Sequence, residues 1–152
     1  MRLRIAATVA ATTLVSLTAF APGTQASTVD KRPPLQISRV QYDSPGSDTG
    51  SNPSLNAEWV RITNFGPRTR VLTGWTIRDP QGHVYRFPAF RLGSHRGVTV
   101  HTGAGRNTAS NLYWRQGNYV WNNTGDRAIF RNRGGATIDV CSWGDGPGSI
   151  AC

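Results

Sequence analysis

The sequence predicts an all-β fold of the sandwich type, and three observations carry that prediction. Beyond an apolar N-terminal stretch, no segment repeats its apolar residues every 3.6 positions over ten residues, the period that an amphipathic helix requires. Short runs of alternating apolar and polar residues occur instead, as expected for strands with one buried face. Turn-forming residues interrupt these runs about every ten residues, which favours a sandwich over a barrel or an α/β fold.

The strand pattern is clearest between residues 55 and 79. From residue 58 to residue 63 the side chains alternate, which places Glu58 with two apolar side chains on one face and Trp59 on the other. Residues 64–67 end this run, because glycine accepts positive φ and proline cannot extend a ladder. The apolar pattern resumes around Trp75. We therefore expect a hairpin that carries both tryptophans and forms a nucleus of the sandwich.

The other predicted strands are short and follow in order along the chain. The first covers residues 35–42, where a shift of apolar phase between Ile37 and Val40 indicates a bulge. Residues 43–54 are rich in turn formers and predict a loop. Further strand-like runs lie at residues 83–87, 98–102, 112–114, 119–121, 127–131 and 136–141. Residues 132–135 contain two glycines and predict the hairpin turn between the last two strands.

Motifs along this segment resemble a known family. They are Glu-Trp-Val-x-Ile-x-Asn at 58–64, Leu-Thr-Gly-Trp-x-Ile-x-Asp at 72–79, Tyr-Arg-Phe-Pro at 85–88, Val-Thr-Val-His-Thr-Gly at 98–103, Leu-Tyr-Trp at 112–114 and Trp-Asn-Asn-Thr-Gly-Asp at 121–126. Together they resemble a lamin tail domain of the bacterial, secreted kind, over residues 35–143. The resemblance implies an immunoglobulin-like sandwich. It also implies contacts with protein or DNA, as in nuclear lamins, but it leaves the ligand of this chain open because one fold hosts many functions.

The N-terminal residues have the layout of a secretory signal peptide. Arg2 and Arg4 form a short positive head, and residues 5–21 are apolar or small and uncharged. Ala26 offers a small residue at the cleavage position. The stretch is rich in alanine and threonine and short for a membrane span of about 20 strongly apolar residues. We therefore expect cleavage after Ala26.

This prediction divides the chain into three segments. Residues 1–26 are the signal peptide, residues 27–34 are a polar linker that ends in two prolines, and residues 35–152 are one sandwich domain. A mature chain of this size holds a single core. We expect a secreted, monomeric protein with no membrane span after cleavage.

The chain is strongly basic, with 17 Lys and Arg against 8 Asp and Glu and a net charge of +9. Removal of residues 1–26 takes away two arginines, which leaves 15 basic against 8 acidic residues and a net charge of +7. Such charge favours encounter with anionic partners, which include nucleic acid, acidic wall polymers and lipid headgroups. The arginines are scattered singly and form no run, however, which favours a role in solubility alone.

The two cysteines predict a disulfide. Cys141 and Cys152 are the only cysteines of the chain, and an isolated pair in an exported protein usually forms a bridge. The bridge would close a loop of about a dozen residues and hold the glycine-rich residues 144–148 against the body. A redox or metal role is not indicated, because the spacing lacks a Cys-x-x-Cys motif.

Motifs that would indicate catalysis are missing from the sequence. There is no Gly-x-Ser-x-Gly elbow, and His83, His95 and His101 do not have the spacing of zinc ligands. Residues 103–107 are glycine-rich, but no Gly-Lys-Ser/Thr follows them, so they predict a turn rather than a phosphate-binding loop. The sequence therefore predicts a non-enzymatic protein without a required cofactor.

One acidic loop is the candidate for a metal site. Asp43, Asp48 and Glu58 cluster around it, and Asn52 and Asn56 add amide oxygens. Hard oxygen ligands at close spacing are those that Ca²⁺ uses, although the order matches no EF-hand. Asp and Asn also cap turns through their own backbone, and Glu58 could equally pair with an arginine across the sheet.

Arginines and aromatic residues around a second loop form the candidate ligand-binding site. Arg106, Trp114, Arg115 and Tyr119 lie close together in sequence. Single-stranded nucleic acids and sugar rings both bind surfaces that combine stacking with positive charge. The alternative is that the aromatic residues fill the sandwich. Core packing is the default expectation for most of the tryptophans in strand patterns, which are Trp59, Trp75 and Trp121.

These observations leave three hypotheses for function. The leading one is a secreted, non-enzymatic binding module whose ligand is a protein or an anionic extracellular polymer, with non-specific nucleic-acid binding as one case. The second is a secreted metal-dependent hydrolase that uses the acidic loop between Asp43 and Glu58. The third is a structural component of the cell envelope.

Overall fold

The computed structural model describes residues 33–152. The predicted signal peptide, residues 1–26, and most of the predicted linker, residues 27–34, lie outside the described residues. The two linker prolines that are described contact the domain: the Pro33 carbonyl accepts a hydrogen bond from Gln36 Nε2 at 2.7 Å, and the Pro34 carbonyl accepts one from the Phe65 amide at 2.7 Å. Among residues 33–152, no helix is long and apolar enough to cross a membrane.

The described residues form strands and one short helix. The strands are β1 (Leu35–Gln41), β2 (Trp59–Asn64), β3 (Arg70–Val71), β4 (Thr76–Arg78), β5 (Val84–Arg86), β6 (Arg91–Leu92), β7 (Gly97–His101), β8 (Asn111–Tyr113), β9 (Gly125–Arg131), β10 (Thr137–Gly144) and β11 (Ser149–Ala151), and the helix is α1 (Asn52–Ala57). A five-stranded sheet has the order β11-β1-β2-β7-β8, and a four-stranded sheet has the order β10-β9-β4-β5. Strands β3 and β6 form a small separate ladder. This architecture confirms the predicted all-β, immunoglobulin-like sandwich.

The core lies between the two large sheets and is rich in aromatic rings. Alternate side chains of β2, such as Val60 and Ile62, point inward and are at most 1% exposed. One connected series of rings, with neighbouring centroids 5.1 to 6.1 Å apart, crosses the core in the order Tyr42, Trp143, Trp121, Trp114, Tyr85, Phe87, Phe130 and Trp75. Aromatic side chains bury large apolar areas, so this series contributes a major part of the hydrophobic stabilisation.

The predicted hairpin between β2 and β4 is wrong. Strand β2 pairs with β1 and β7, whereas β4 pairs with β5 and β9 in the other sheet. The chain leaves the first sheet at Asn64, whose side-chain amide donates to the carbonyls of Arg68, Leu92 and Gly93. Residues 65–75 therefore cross between the sheets instead of turning back beside β2.

Two further local predictions also need correction. The predicted loop at residues 43–54 ends in helix α1, which starts with a proline in its first turn and buries Leu55. Six residues are too few for a helical period to be visible in the sequence. Residues 119–121, predicted as a strand, form none, because two of their amides bind the Glu58 side chain instead of a neighbouring strand.

Three local predictions are confirmed. The register of β1 against β2 shifts between Ile37 and Arg39, where the sequence indicated a bulge. Residues 132–135 connect the antiparallel strands β9 and β10, and Gly135 has a φ of 87°, which glycine adopts without strain. Cys141 and Cys152 form a disulfide with a Cα–Cα distance of 5.7 Å.

Candidate ligand-binding surface

Glu58, a member of the predicted acidic loop, is buried and serves as a hydrogen-bond acceptor inside the protein. It is 0% exposed. Its Oε1 accepts from the Thr102 hydroxyl at 2.6 Å and from the Val120 amide at 2.9 Å, and its Oε2 accepts from the Trp121 amide at 3.2 Å. The carboxylate thus takes the place of a neighbouring strand for residues 120 and 121, because buried amides require an acceptor.

Burial also changes the acidity of this side chain. Desolvation raises the pKa of Glu58 to about 7, against the lowering effect of its hydrogen bonds with Thr102, Val120 and Trp121. Within residues 33–152, no arginine lies within ion-pair distance of this carboxylate. The alternative that Glu58 pairs with an arginine across the sheet is therefore wrong.

The three acidic residues predicted to bind Ca²⁺ do not form a metal-binding group. Both oxygens of Glu58 already accept hydrogen bonds inside the core, and Asp43 Oδ1 accepts from Asn123 Nδ2 at 2.9 Å. Asp48 lies on the exposed part of the loop. Within the described part of the chain, no group of three His, Cys, Asp or Glu side chains is arranged to hold a metal ion. The physical reason is that Glu58 is buried, so its carboxylate does not reach the surface where Asp48 lies.

The predicted aromatic and arginine loop has mainly structural contacts. Trp114 is half-buried and packs against Tyr85 and Trp121 at centroid distances of 5.8 and 5.9 Å. The Tyr119 hydroxyl lies 2.6 Å from Ser54 Oγ and accepts a hydrogen bond from the Gly50 amide. These contacts fix both rings to the body of the domain.

The two arginines predicted for the same site remain at the surface. Arg106 and Arg115 are exposed, and Arg115 donates to the Gly105 carbonyl at 3.0 Å. Arg115 also has a φ of 64°, a left-handed conformation that is uncommon for residues other than glycine. Binding of a ligand by Arg106, Trp114, Arg115 and Tyr119 stays a prediction, but the structure commits the two aromatic members to packing.

A different surface combines aromatic and positively charged side chains, namely the outer face of the five-stranded sheet. In-register residues of β1, β2, β7 and β8 form two rows across this face. We call Gln41, Trp59, His101 and Tyr113 the aromatic row, and Arg39, Arg61, Thr99 and Asn111 the polar row. Residues in register share a face of the sheet, so these side chains lie side by side.

Trp59 differs from the other four tryptophans. Trp121 and Trp143 are in the core, and Trp75 and Trp114 pack against it, whereas Trp59 does neither. It is half-buried on the outer face. Trp59 is therefore the exception to the default expectation of core packing. Strand alternation, which places it opposite Val60, was the signal that identified this side.

The neighbours of Trp59 in the aromatic row are held in place. The rings of His101 and Tyr113 stack with centroids 5.1 Å apart. His101 Nδ1 lies 2.7 Å from the Asn56 carbonyl oxygen, and His101 Nε2 lies 2.9 Å from Asn111 Oδ1. His101 therefore connects helix α1, β7 and β8, and its ring has a fixed position beside Trp59.

Arg61 lies next to Trp59 along β2 and borders a cleft of about 450 Å³. The cleft is lined by residues from β2, β6, the start of β7 and two loops: Arg61, Arg91, Leu92, Gly93, His95, Arg96, Gly97, Ala109 and Ser110. Three arginines and no acidic residue of the described part of the chain line it. Since guanidinium groups match carboxylates and phosphates with paired donors, the cleft is suited to an anion.

The guanidinium of Arg61 lies flat over Gly97. A Cβ atom at Gly97 would come within 2.6 to 2.9 Å of the guanidinium atoms, closer than real Cβ contacts. Arg61 Nη1 also donates to the Thr99 hydroxyl at 3.3 Å. Because Gly97 has no side chain, the guanidinium of Arg61 has room above it. The hydrogen bond to the Thr99 hydroxyl then holds this cation at the opening of the cleft.

A smaller arginine-lined cleft of about 240 Å³ lies on the four-stranded sheet. Arg78, Arg86, Arg131 and Arg133 line it, but no aromatic ring does. In the described residues, no arginine lies within 4.0 Å of a carboxylate oxygen, and the only acidic ion pair joins Asp79 to His83. The described arginines are therefore not neutralised by ion pairs with acidic residues of the same domain.

Sequence reasoning did not find the outer-face surface. Arg61, Arg91 and Arg96 come from separate parts of the chain and meet in one cleft. The register of β2 with β7 and the hydrogen bonds of Asn64 with the carbonyls of residues 92, 93 and 96 connect these segments. The sequence signal was limited to the alternation within β2, which puts Trp59 and Arg61 on one face.

The described residues form an immunoglobulin-like sandwich, and no metal-binding group is assembled among them. The family model for the Lamin Tail Domain matches residues 28–145. The chain therefore belongs to the lamin tail domain family, whose domain is a non-catalytic, immunoglobulin-like module. No curated protein matches the chain.

Proposed function

We propose that this protein is an exported, non-enzymatic binding module that holds an anionic polymer outside the cell. The observation that carries the proposal is the state of its arginines: within residues 33–152 none forms an ion pair with a carboxylate. Such charges create a positive potential over the surface, which attracts polyanions and raises their rate of encounter. A role in solubility alone does not require clefts lined by three or four arginines.

Export is the second part of the proposal. It is supported by the layout of residues 1–26 and by the disulfide, since such bridges persist mainly in oxidising compartments outside the cytoplasm. Intact-mass analysis of protein from the culture medium should find a chain that begins at Ser27. A cell-bound product that retains Met1 would contradict export.

The metal-dependent hydrolase is less well supported. It requires an acidic loop that presents carboxylates to a metal and to solvent, whereas Glu58 is fully buried and its oxygens accept hydrogen bonds from three donors. Of the two ligand classes predicted from the sequence, an anionic polymer is favoured over a protein. The reason is charge, because the arginine clefts offer a polyanion many equivalent contacts.

The proposal is tested by retention of the secreted protein on immobilised polymers. Polygalacturonate, polyglutamate and duplex DNA should retain it at low salt, and uncharged dextran should not. Retention should decrease as salt rises, because neutralised anionic groups release condensed counterions, with a log–log slope of about −0.9 per phosphate contact on duplex DNA. Failure of all three polyanions to retain the protein at low salt would overturn the proposal.

A further inference from the structure

We infer that the outer face of the five-stranded sheet binds a polysaccharide that carries carboxylate groups, with one sugar ring on Trp59 and carboxylates at Arg61 and in the adjacent cleft. The inference rests on the proposed function and names its site and its ligand class. It is argued from the position of Trp59, from the alignment of Arg61 with the cleft, and from the charge of the cleft.

Trp59 lies half-buried on the outer sheet face and belongs neither to the core nor to the residues packed against it. Its ring stacks on no other ring among the described residues, so the exposed part of the indole is available to a ligand. An indole combines an apolar face with an N–H donor, so it suits a ligand that has both apolar and polar surfaces. The ring face of a sugar presents C–H groups, and its edge presents hydroxyls. Trp59 offers a matching group to each of them.

Trp59, Arg61 and the cleft lie in line along the sheet. On β2 and β7, Trp59 is in register with His101, Arg61 with Thr99, and Thr63 with Gly97. Successive outward rows are about 6.6 Å apart along a strand, so the aromatic row and Gly97 are separated by about 13 Å. Arg61 lies midway between them, and the arginine cleft opens at Gly97. An extended chain that stacks on Trp59 therefore passes Arg61 and reaches the cleft without leaving the sheet.

The charge of the cleft complements a carboxylate. Arg61, Arg91 and Arg96 line the cleft together with His95, and no acidic residue of 33–152 does. The guanidinium fork of arginine binds a planar carboxylate with two parallel hydrogen bonds. The exposed Ser110 also lines the cleft, and its hydroxyl supplies a partner for a sugar hydroxyl. A neutral glycan would leave three guanidinium groups without a partner.

The number of accessible rings favours a polysaccharide over a single-stranded nucleic acid. Nucleic-acid platforms stack successive bases on several aromatic side chains. On this face, Tyr113 is already stacked against His101, and its ring is close enough to Gly105 that a Cβ there would come within 2.5 Å of it. Trp59 alone is left for stacking, so only one ring of the ligand is recognised in this way and the remaining contacts are polar.

The experiment measures binding of polygalacturonate by the full secreted protein and its variants, across a series of salt concentrations. We expect Trp59→Ala to weaken binding about tenfold, which corresponds to about 1.4 kcal/mol, while the salt slope is unchanged. Arg61→Ala should weaken binding and also make the slope shallower, because one charged contact is lost. Trp59→Phe keeps a ring and should retain most of the affinity.

Matched controls come from other surfaces. Phe65 is an exposed aromatic residue on a loop, at 52% exposure, and Phe65→Ala should change affinity less than twofold. Arg86 lines the cleft of the other sheet, and Arg86→Ala should weaken binding less than Arg61→Ala does. Thermal unfolding of each variant establishes that it is folded before its affinity is compared.

Each outcome separates this inference from the general proposal. If polygalacturonate binds the wild type but Trp59→Ala and Arg61→Ala bind as tightly as the controls, the outer-face site is wrong and the proposed function stands. If Arg86→Ala has the larger effect, the site belongs to the four-stranded sheet. If Trp59→Ala impairs single-stranded DNA binding but not polygalacturonate binding, the ligand class is wrong. If no polyanion binds, both the inference and the proposed function are overturned.

Discussion

The Glu58 side chain supplies hydrogen-bond acceptors that a neighbouring strand would otherwise provide. Its carboxylate accepts hydrogen bonds from two consecutive backbone amides that lie more than 60 residues further along the chain. The cost of this arrangement is desolvation of a carboxylate, which raises its pKa to about 7. The native state therefore keeps a proton that the unfolded chain, with an ordinary glutamate, releases.

This raised pKa sets the pH dependence of stability. Between pH 4.5 and pH 7 the native state binds more protons at Glu58 than the unfolded state does, so the free energy of unfolding decreases as pH rises, by about 3 kcal/mol in total. Above pH 7 this contribution is constant. Chemical denaturation at a series of pH values measures it.

The Glu58→Gln variant isolates the effect. Its side chain does not titrate, so the decrease between pH 4.5 and pH 7 should be absent, although one amide loses its acceptor at all pH values. Asp145→Asn, at an exposed position, serves as the control and should keep the decrease. A decrease of equal size in Glu58→Gln would show that another group is responsible.

Asn64 gives a second prediction at the residue scale. It is 0% exposed, its Nδ2 donates to three carbonyls, and its Oδ1 accepts from the Gly66 amide at 3.1 Å. Asn64→Ala should cost about 1–3 kcal/mol in free energy of unfolding, because buried carbonyls lose their donors. Asn64→Asp should cost more, because a carboxylate would face three carbonyl oxygens.

Low pH should partly restore the free energy of unfolding of the Asn64→Asp variant, since protonation of the new carboxylate removes its charge. Denaturant unfolding of both variants and the wild type, compared at the same pH, tests this order. Equal stability of Asn64→Asp and the wild type would mean that the amide does not hold the crossing segment.

At the scale of strands and loops, the sequence identified the elements better than their partners. The alternation in β2 and the glycines at 132–135 are local signals, and both elements formed as predicted. The β2–β4 hairpin failed because no local signal shows that Asn64 bonds to Leu92 and Gly93. Residues 119–121 failed for the same reason, because their acceptor is a side chain and lies far away in sequence.

The contact between Gly97 on β7 and Arg61 on β2 can be tested by substitution. Gly97 has no left-handed backbone, and the atoms that a Cβ would meet belong to the flexible end of Arg61. Gly97→Ala should therefore change the free energy of unfolding by less than about 1 kcal/mol, since that side chain can move. It should nevertheless displace the guanidinium and weaken polygalacturonate binding several-fold.

Gly117 offers the comparison, because a Cβ there meets no atom within 4 Å. Gly117→Ala should leave polymer binding unchanged. Loss of binding in both variants, or in neither, would contradict a specific position for Arg61 over Gly97.

At the scale of the whole molecule, the fold class was predictable and the candidate surface was not. Strand alternation, turn residues and family motifs act over short stretches, and they were enough to predict the sandwich. The surface depends on which segments become neighbours. Trp59 and His101 are adjacent through the β2–β7 register, and the hydrogen bonds from Asn64 to Leu92 and Gly93 connect the end of β2 to the segment that carries Arg91. Long-range pairing of this kind has no local sequence signal.

The disulfide connects the two sheets, since Cys141 lies in β10 of the four-stranded sheet and Cys152 follows β11 of the five-stranded sheet. Its sequence separation of 11 residues predicts a stabilisation of about 3 kcal/mol from the constraint on the unfolded chain. The double variant Cys141→Ser, Cys152→Ser should lose about this amount in denaturant unfolding. A loss below about 1 kcal/mol would mean that hydrogen bonds alone hold β11 to β1.

The same bridge determines how the domain carries mechanical load. Tension applied at Cys152 passes through the S–S bond directly into β10, so the segment between the cysteines is shielded from force. Strand β11 cannot be peeled from the edge of its sheet while the bond is intact, although only three register pairs join it to β1. A pull at Cys152 is therefore borne first by β10 and the four-stranded sheet, and β11 is loaded only after the S–S bond breaks.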